Sequence, residues 1–149
     1  MISLPKEVFK TGLVAGNIYL FNKHKLKNTT LPHLFIAVGM DDEEIVLFSC
    51  CTTKFEKRRR FIELAGLPLT TLVYIKPDKE NKLDEPTYID CNKLHLYTID
   101  ELHTLSNDDD LSLIGTLNDG KLEELRTGIN DSPNVEGEYK DIINGNGIE

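Results

Sequence analysis

The sequence predicts a small domain of the α+β class, mainly β with short helices, in which five to seven strands form a barrel-like fold. Short apolar runs separated by turn residues extend as far as Tyr97, a pattern typical of small β domains. A helical period of apolar residues begins only after that point. A chain of 149 residues suits one domain, which we assign to residues 1–133, and we expect the polar residues 134–149 to be a disordered tail.

The first three strands are predicted from apolar runs between polar connections. Asn17–Phe21 is the first, and a polar, basic segment at 22–30 separates it from the second strand at 33–39. An acidic turn joins the second strand to a third at 44–51, so these two are predicted to form a hairpin. Because their apolar runs are nearly continuous, we expect other elements to cover both faces of the sheet.

The remaining strand candidates are shorter. A central strand is predicted at 71–76, where β-branched and aromatic residues are concentrated. The other candidates are an edge strand at 61–64, one bent strand or bulged pair at 87–91 and 94–97, and a last strand at 113–117.

Two short helices are predicted near the end of the chain. Thr98 and Glu101 have the spacing of a capping box, which would start a helix that ends near Leu105. Asn118 would cap a second helix, which we expect to pack on the barrel as its C-terminal helix. Its apolar face consists of Leu122, Leu125 and Ile129.

Charge is distributed unevenly along the chain. The net charge is −8, but residues 1–75 carry ten Lys and Arg against seven Asp and Glu, whereas residues 76–149 carry seven against eighteen. The two parts therefore have net charges of +3 and −11. This balance argues against extended nucleic-acid binding and leaves room for one local phosphate site in the first part.

The composition is that of a cytoplasmic protein. The longest apolar runs are too short to span a bilayer, and the N-terminus lacks an apolar core of signal-peptide length. Three cysteines, of which Cys50 and Cys51 are adjacent, make a poor disulfide framework. We therefore expect a cytoplasmic location and no membrane partner.

A basic run and two hydroxyl groups follow the third strand. The run consists of Lys57, Arg58, Arg59 and Arg60. Thr52 and Thr53, shortly before it, could bind a phosphate or cap the turn that ends the strand. Two interpretations of the run stay open, namely a phosphate site and a charged edge strand that blocks pairing with other chains.

A second basic group lies in the loop between the first two strands. It consists of Lys23, His24, Lys25 and Lys27. Metal-free RNA cleavage needs one group to remove the 2′-hydroxyl proton, another to protonate the 5′-oxygen and a cation to stabilise the phosphorane. His24 is the candidate for this chemistry, but a loop histidine can equally be solvated. His33, at a strand start, suits packing as well as reaction, and His95 and His103 are expected to be structural.

No metal or other cofactor is predicted. The chain has no paired CxxC motif. Cys91 and His95 are four residues apart in a predicted strand, so about 13 Å would separate them, which is too far for two ligands of one ion. The cysteines are expected to be small core residues.

The order of these elements resembles the MazF/PemK family of toxin endoribonucleases, which have an SH3-like barrel. The resemblance covers roughly residues 13–133. It begins with the strand that follows Gly16 and continues with a basic loop, a strand preceded by Pro32, and the threonines after the third strand. Its strongest stretch lies at 88–133, where YIDCNKLHLYTIDEL and IGTLNDGKLEELRTGI are similar to the family's later strands and closing helix.

The resemblance implies a homodimer that cleaves single-stranded RNA without a metal and pairs with an antitoxin protein. It implies catalysis by a threonine after the third strand and by an arginine of the first loop. The family's Arg-Pro is Leu31-Pro32 here, so a lysine or histidine of that region would replace the arginine, or Arg58–Arg60 would fold back over the same cleft.

The catalytic residues predicted in this way are His24, Thr52, Thr53 and Arg58, with Lys25, Lys27 and His33 as the other substitutes for the arginine. The predicted RNA-binding residues are Lys23, Lys25, Lys27, Lys57, Arg59 and Arg60.

A second hypothesis is a catalytically silent SH3-like barrel that acts as a protein-binding module. The missing first-loop arginine and the acidic second part of the chain motivate it. It predicts no RNA cleavage and little effect of alanine at His24 or Thr52.

Overall fold

The structure is a computed structural model that describes residues 4–27, 29–42 and 44–145. Within these residues the chain forms seven strands and five α-helices. The strands are β1 Asn17–Phe21, β2 His33–Met40, β3 Ile45–Thr52, β4 Leu72–Ile75, β5 Thr87–Asp90, β6 His95–Thr98 and β7 Leu111–Thr116. The helices are α1 Lys6–Thr11, α2 Phe55–Leu64, α3 Ile99–Asn107, α4 Asp119–Asp131 and α5 Gly137–Ile143, and a 3-10 turn covers Leu69–Thr71. No helix in the described ranges is long and apolar enough to cross a membrane.

All seven strands pair antiparallel in one sheet, in which six follow the order β4-β5-β3-β2-β1-β7 and β6 pairs with β3 beside this path. This confirms the mainly β, α+β class with short helices. The sheet is open, because its end strands β4 and β7 do not pair with each other in the described part of the chain. The loop that follows β4 reaches β7 instead, where the Thr116 amide donates to the Glu80 carbonyl at 3.0 Å. Gly115 permits this approach, since a Cβ there would overlap the carbonyl oxygens of Glu80 and Asn81.

Strand β3 organises the sheet. It pairs with β2 as the predicted hairpin, with Phe35 opposite Cys50. Its other side pairs first with β6 and then with β5, which lie end to end and confirm the predicted bent strand. The prediction of a central strand at 71–76 is wrong, because β4 is an end strand that leaves Tyr74 42% exposed.

Both faces of the sheet are covered, as the continuous apolar runs predict. One face packs against α4 and α5 through aliphatic side chains such as Ile36, Leu47 and Leu125. The other face is aromatic. Its rings are Tyr19, Phe21, Phe35, Phe48 and Tyr97, which meet mostly edge to face. Helix α3 packs beside this second core through Ile99 and Leu102.

The two predicted helix starts are confirmed. Thr98 accepts a hydrogen bond from the Glu101 amide, and the Glu101 side chain accepts one from the Thr98 amide, which completes the capping box of α3. Asn118 caps α4 by accepting from the Lys121 amide. The predicted apolar face of α4 is buried at Leu122, Leu125 and Ile129.

The basic run is helical, which excludes its interpretation as a charged edge strand, and the prediction of an edge strand at 61–64 is wrong. Ile62 anchors α2, because it is the one buried residue of this helix. Arg59 forms ion pairs along the same helix with Glu63 at 3.0 Å and Glu56 at 4.0 Å.

The prediction of a disordered tail is wrong for residues 134–145. Helix α5 lies there, and Val135 and Ile143 are buried against the aliphatic core. Ile143 packs at Gly39 of β2, where a Cβ would meet its Cγ1 at 3.2 Å. The sparse apolar residues of the tail are therefore spaced so that they close one end of that core. Residues 146–149 lie outside the described ranges.

Candidate active site on the aromatic face

The start of β2 and the end of β3 lie side by side, since Phe35 pairs with Cys50. Side chains alternate along a strand, so His33 lies on the face of Phe35, and Thr52 lies on the face of Cys50. We call His24, His33 and His95 the histidine patch. The His24 ring is 5.4 Å from that of His33 and 6.2 Å from that of Phe35, and Phe35 is 5.4 Å from His95, all between ring centroids.

One backbone carbonyl orients two of these imidazoles. The Leu31 carbonyl accepts from His24 Nε2 at 2.6 Å and from His33 Nδ1 at 3.2 Å. The Leu26 amide donates to His24 Nδ1 at 3.2 Å, so this nitrogen acts as the acceptor of the ring. Both nitrogens of His24 are therefore occupied.

His33 is differently placed. Its Nδ1 proton is held by the Leu31 carbonyl, and its Nε2 has no hydrogen-bond partner within the described ranges. The ring is half-buried. The geometry thus favours His33 over His24 as the imidazole that can accept a proton from a bound molecule.

His95 closes the patch as a neutral ring. Burial, with smaller contributions from the charges of Lys93 and His24, lowers the pKa of His95 to about 4. It is uncharged at neutral pH and contributes an apolar edge against Phe35.

The two threonines have different surroundings. Thr52 Oγ1 accepts from the Lys54 amide at 3.1 Å, which is the turn-capping role, and its hydroxyl proton stays available for donation. Thr53 is exposed, and its carbonyl accepts from the Phe55 amide. The structure thus brings Thr52, but not the Thr53 hydroxyl, into a defined position at the end of β3.

Arg58 lies next to this face. It forms an ion pair with Asp90 at 3.6 Å, and its guanidinium carbon is 5.8 Å from the centre of the Phe61 ring. Its charge, like that of Lys93, acts on the Cys50 thiol. Sequence reasoning missed Asp90 and Lys93. The signal for both was their position at the interruption of the predicted bent strand.

The thiols are not nucleophiles. Burial raises the pKa of Cys50 to about 11, against the opposing effect of Arg58 and Lys93. Burial also raises the pKa of Cys91 to about 12 and that of Cys51 well above its usual range. All three groups are therefore protonated at neutral pH. No group of three or more metal-ligating side chains in the described ranges could hold an ion.

The predicted RNA-binding lysines of the first loop divide into two sets. Lys23 pairs with Asp110 at 3.6 Å, and Lys25 pairs with Glu101 at 2.7 Å while it lies over the Tyr97 ring. The charges of these two lysines are thus paired with acidic side chains. Lys27 is exposed and has no ion pair with any described residue.

The predicted cations of α2 also divide. Arg59 is held by glutamates of its own helix. Lys57 and Arg60 are exposed, without an ion pair in the part of the chain that the structure describes. Since they are three residues apart, they lie on one side of the helix.

No protein-family model and no curated protein matches the chain. The similarity to the MazF/PemK toxins therefore stays a prediction based on the residues quoted above.

Proposed function

We propose that the protein is a toxin-like endoribonuclease that cleaves single-stranded RNA without a metal at the histidine patch. One observation carries the proposal. His33 Nε2 has no hydrogen-bond partner among the described residues, while His33 Nδ1 donates to the Leu31 carbonyl, which also accepts from His24 Nε2. Thr52 and Arg58 lie at the adjoining end of β3. We expect the enzyme to act in the cytoplasm as a homodimer that an antitoxin protein controls.

The chemistry follows from these positions. His33 Nε2 accepts the proton of a ribose 2′-hydroxyl, and the 2′-oxygen attacks the adjacent phosphorus. The Arg58 guanidinium stabilises the negative charge of the phosphorane, and the Thr52 hydroxyl donates to a phosphate oxygen. The bond to the 5′-oxygen then breaks, and the departing oxygen takes a proton from water. The products are a 2′,3′-cyclic phosphate and a 5′-hydroxyl.

His24 acts as a positioning residue in this scheme. It fixes the Leu31 carbonyl, which in turn fixes the His33 ring. His24→Gln should therefore reduce kcat and leave RNA affinity unchanged, whereas His33→Ala should abolish cleavage.

The test is cleavage of a long single-stranded RNA by the purified protein in EDTA, with the ends mapped by primer extension. We expect discrete cuts that vanish in His33→Ala and weaken by about 100-fold or more in Arg58→Ala. His103→Ala is the matched control, because this histidine lies on α3 outside the patch. Intact RNA with the wild-type protein, or cuts that persist in His33→Ala, would refute the proposal.

A second candidate function, protein binding without catalysis, is favoured by the outer side of α2. Phe61 is 55% and Leu64 83% exposed there, beside Lys57 and Arg60. Such a surface fits an acidic amphipathic segment. If RNA stays intact, charge reversal at Lys57 and Arg60 should release a partner that the wild-type chain retains.

A further inference from the structure

We propose that Tyr74, Tyr88 and Phe55 form a platform on which bases of single-stranded RNA stack as the strand leaves the histidine patch. We call these three residues the aromatic row. The inference rests on the proposed function in one respect only: it takes RNA as the ligand. It adds a binding subsite that the sequence does not predict.

The row is continuous with the candidate active site. Thr52 pairs with Tyr88, and Tyr88 pairs with Tyr74, across β3, β5 and β4. Residues directly opposite each other in antiparallel strands point to the same face, and neighbouring strands lie about 4.8 Å apart. The side chains of Thr52, Tyr88 and Tyr74 therefore form a line from the candidate active site to the edge of the sheet.

The rings contact one another but do not cover one another. The Tyr74 and Tyr88 centroids are 5.3 Å apart at an interplanar angle of 37°, and those of Phe55 and Tyr88 are 4.7 Å apart at 38°. Tyr74 is 42% exposed at the edge strand, and the other two are half-buried. Lys121 Nζ lies 6.0 Å from the centre of the Tyr74 ring, so the exposed remainder of this ring is the surface available for stacking, and the inner rings hold it in place.

The charge around the row selects RNA among the possible ligands. Two exposed cations without ion pairs among the described residues adjoin it, since Lys54 precedes Phe55 and Lys76 lies two positions after Tyr74. Aromatic faces flanked by unpaired cations suit bases and phosphates together, and the chain as a whole is acidic at −8. A protein partner that added a strand at the β4 edge would bind through backbone hydrogen bonds, so it would not require the aromatic rings.

The test measures binding separately from cleavage. A fluorescent single-stranded RNA with 2′-O-methyl groups cannot undergo attack by its 2′-oxygen, so its anisotropy reports affinity alone. Stacking contributes about 1–3 kcal/mol per base, so Tyr74→Ala should raise Kd by about 5-fold or more. Tyr74→Phe should bind like the wild type, and Leu113→Ala, exposed on the opposite end strand, should have no effect.

A strand with abasic sites gives the decisive comparison. If the ring stacks on bases, Tyr74→Ala and wild type should bind the abasic strand equally. Tyr74→Leu keeps an apolar side chain at this position. If it loses as much RNA affinity as Tyr74→Ala, with an unchanged Tm, the lost affinity belongs to the aromatic ring.

Three results would overturn the inference. Tyr74→Ala could bind like the wild type, it could lose affinity equally for the abasic strand, or it could lose binding of an acidic peptide while it retains RNA. Failure of the proposed function is distinguishable, because Tyr74-dependent binding without His33-dependent cleavage refutes only the nuclease. Cleavage with binding that ignores Tyr74 refutes only the aromatic row.

Discussion

At the scale of single residues, the Leu31 carbonyl determines the roles of two imidazoles. It accepts from both His24 and His33, and the second bond to His24, from the Leu26 amide, leaves His33 as the ring with an unused nitrogen. A carbonyl that orients an imidazole fixes its tautomer, which is the prerequisite for a general base. His24 therefore belongs to the architecture that supports the reaction, and His33 to the reaction itself.

His95 should make the folded state sensitive to acid. Burial, with smaller effects of Lys93 and His24, lowers its pKa from 6.5 to about 4. His95 is therefore protonated below about pH 6.5 in the unfolded chain, but only below about pH 4 in the folded chain. The free energy of unfolding falls as the pH drops through this window, because protons bind preferentially to the unfolded state. We expect a loss of roughly 1–2 kcal/mol, since partial exposure of the ring screens the effect.

Urea denaturation between about pH 7.5 and pH 4.5 measures this loss. Other groups titrate in the same range, so the informative quantity is the difference between wild type and His95→Gln. The variant should lose less stability on acidification than the wild type. Parallel pH profiles for wild type and His95→Gln would contradict the assignment.

At the scale of elements, the capping box of α3 offers a local test of stability. The Thr98 hydroxyl accepts from the Glu101 amide at 3.0 Å, and Glu101 Oε1 accepts from the Thr98 amide at 2.9 Å. Thr98→Ala removes one bond and releases the other, so unfolding should become easier by about 1 kcal/mol. Thr104→Ala, at an exposed position inside the same helix, should change stability little. Equal effects of the two substitutions in chemical denaturation would argue against the cap.

Elements with a strong local signal were predictable. The strands β1, β2 and β3 are apolar runs between polar turns, and α3 and α4 begin at capping residues, so each carries its own boundary in the sequence. Helix α2 could not be predicted, because Lys57–Arg60 has no apolar period and one buried residue, Ile62, holds the helix to the domain. Tertiary contact decides the conformation of such a segment.

The candidate site was predictable in part. Histidines, threonines and cations near the first loop and the end of β3 carry a chemical signal that requires no coordinates. Their division into working and supporting groups depends on hydrogen bonds to the Leu31 carbonyl and on the ion pair between Arg58 and Asp90, and the ion pair arises only when distant segments meet. The aromatic row was missed for the same reason, since Tyr74 and Tyr88 become neighbours through strand pairing.

At the scale of the whole molecule, an open sheet replaces the expected closed barrel because a loop occupies the gap between its ends. The loop after β4 accepts a hydrogen bond from β7 through the Glu80 carbonyl, and Gly115 lacks the side chain that would keep the loop away. No local pattern predicts this contact, which joins Thr116 to Glu80, 36 positions earlier in the chain. Tyr74 lies on the end strand β4 and is 42% exposed there.

The distribution of charge over the folded chain leads to the last prediction. Exposed cations surround α2 and β4, whereas α1 lies at the opposite end of β3, where Lys6 pairs with Glu44 at 3.2 Å.

If Lys57 and Arg60 each contact a phosphate, log Kd for a single-stranded 2′-O-methyl RNA should depend on log salt through them. Removing both with alanine should lower the slope by about 1.4, since each phosphate contact on a single strand contributes about 0.7. Lys10→Ala on α1 is the matched control and should leave the slope unchanged. Anisotropy titrations over roughly 50–200 mM salt measure it. If the double variant keeps the wild-type slope, the RNA binds elsewhere on the molecule. Weaker binding with an unchanged salt dependence would mean that the substitutions removed a shape contact and not a contact between a charge and a phosphate.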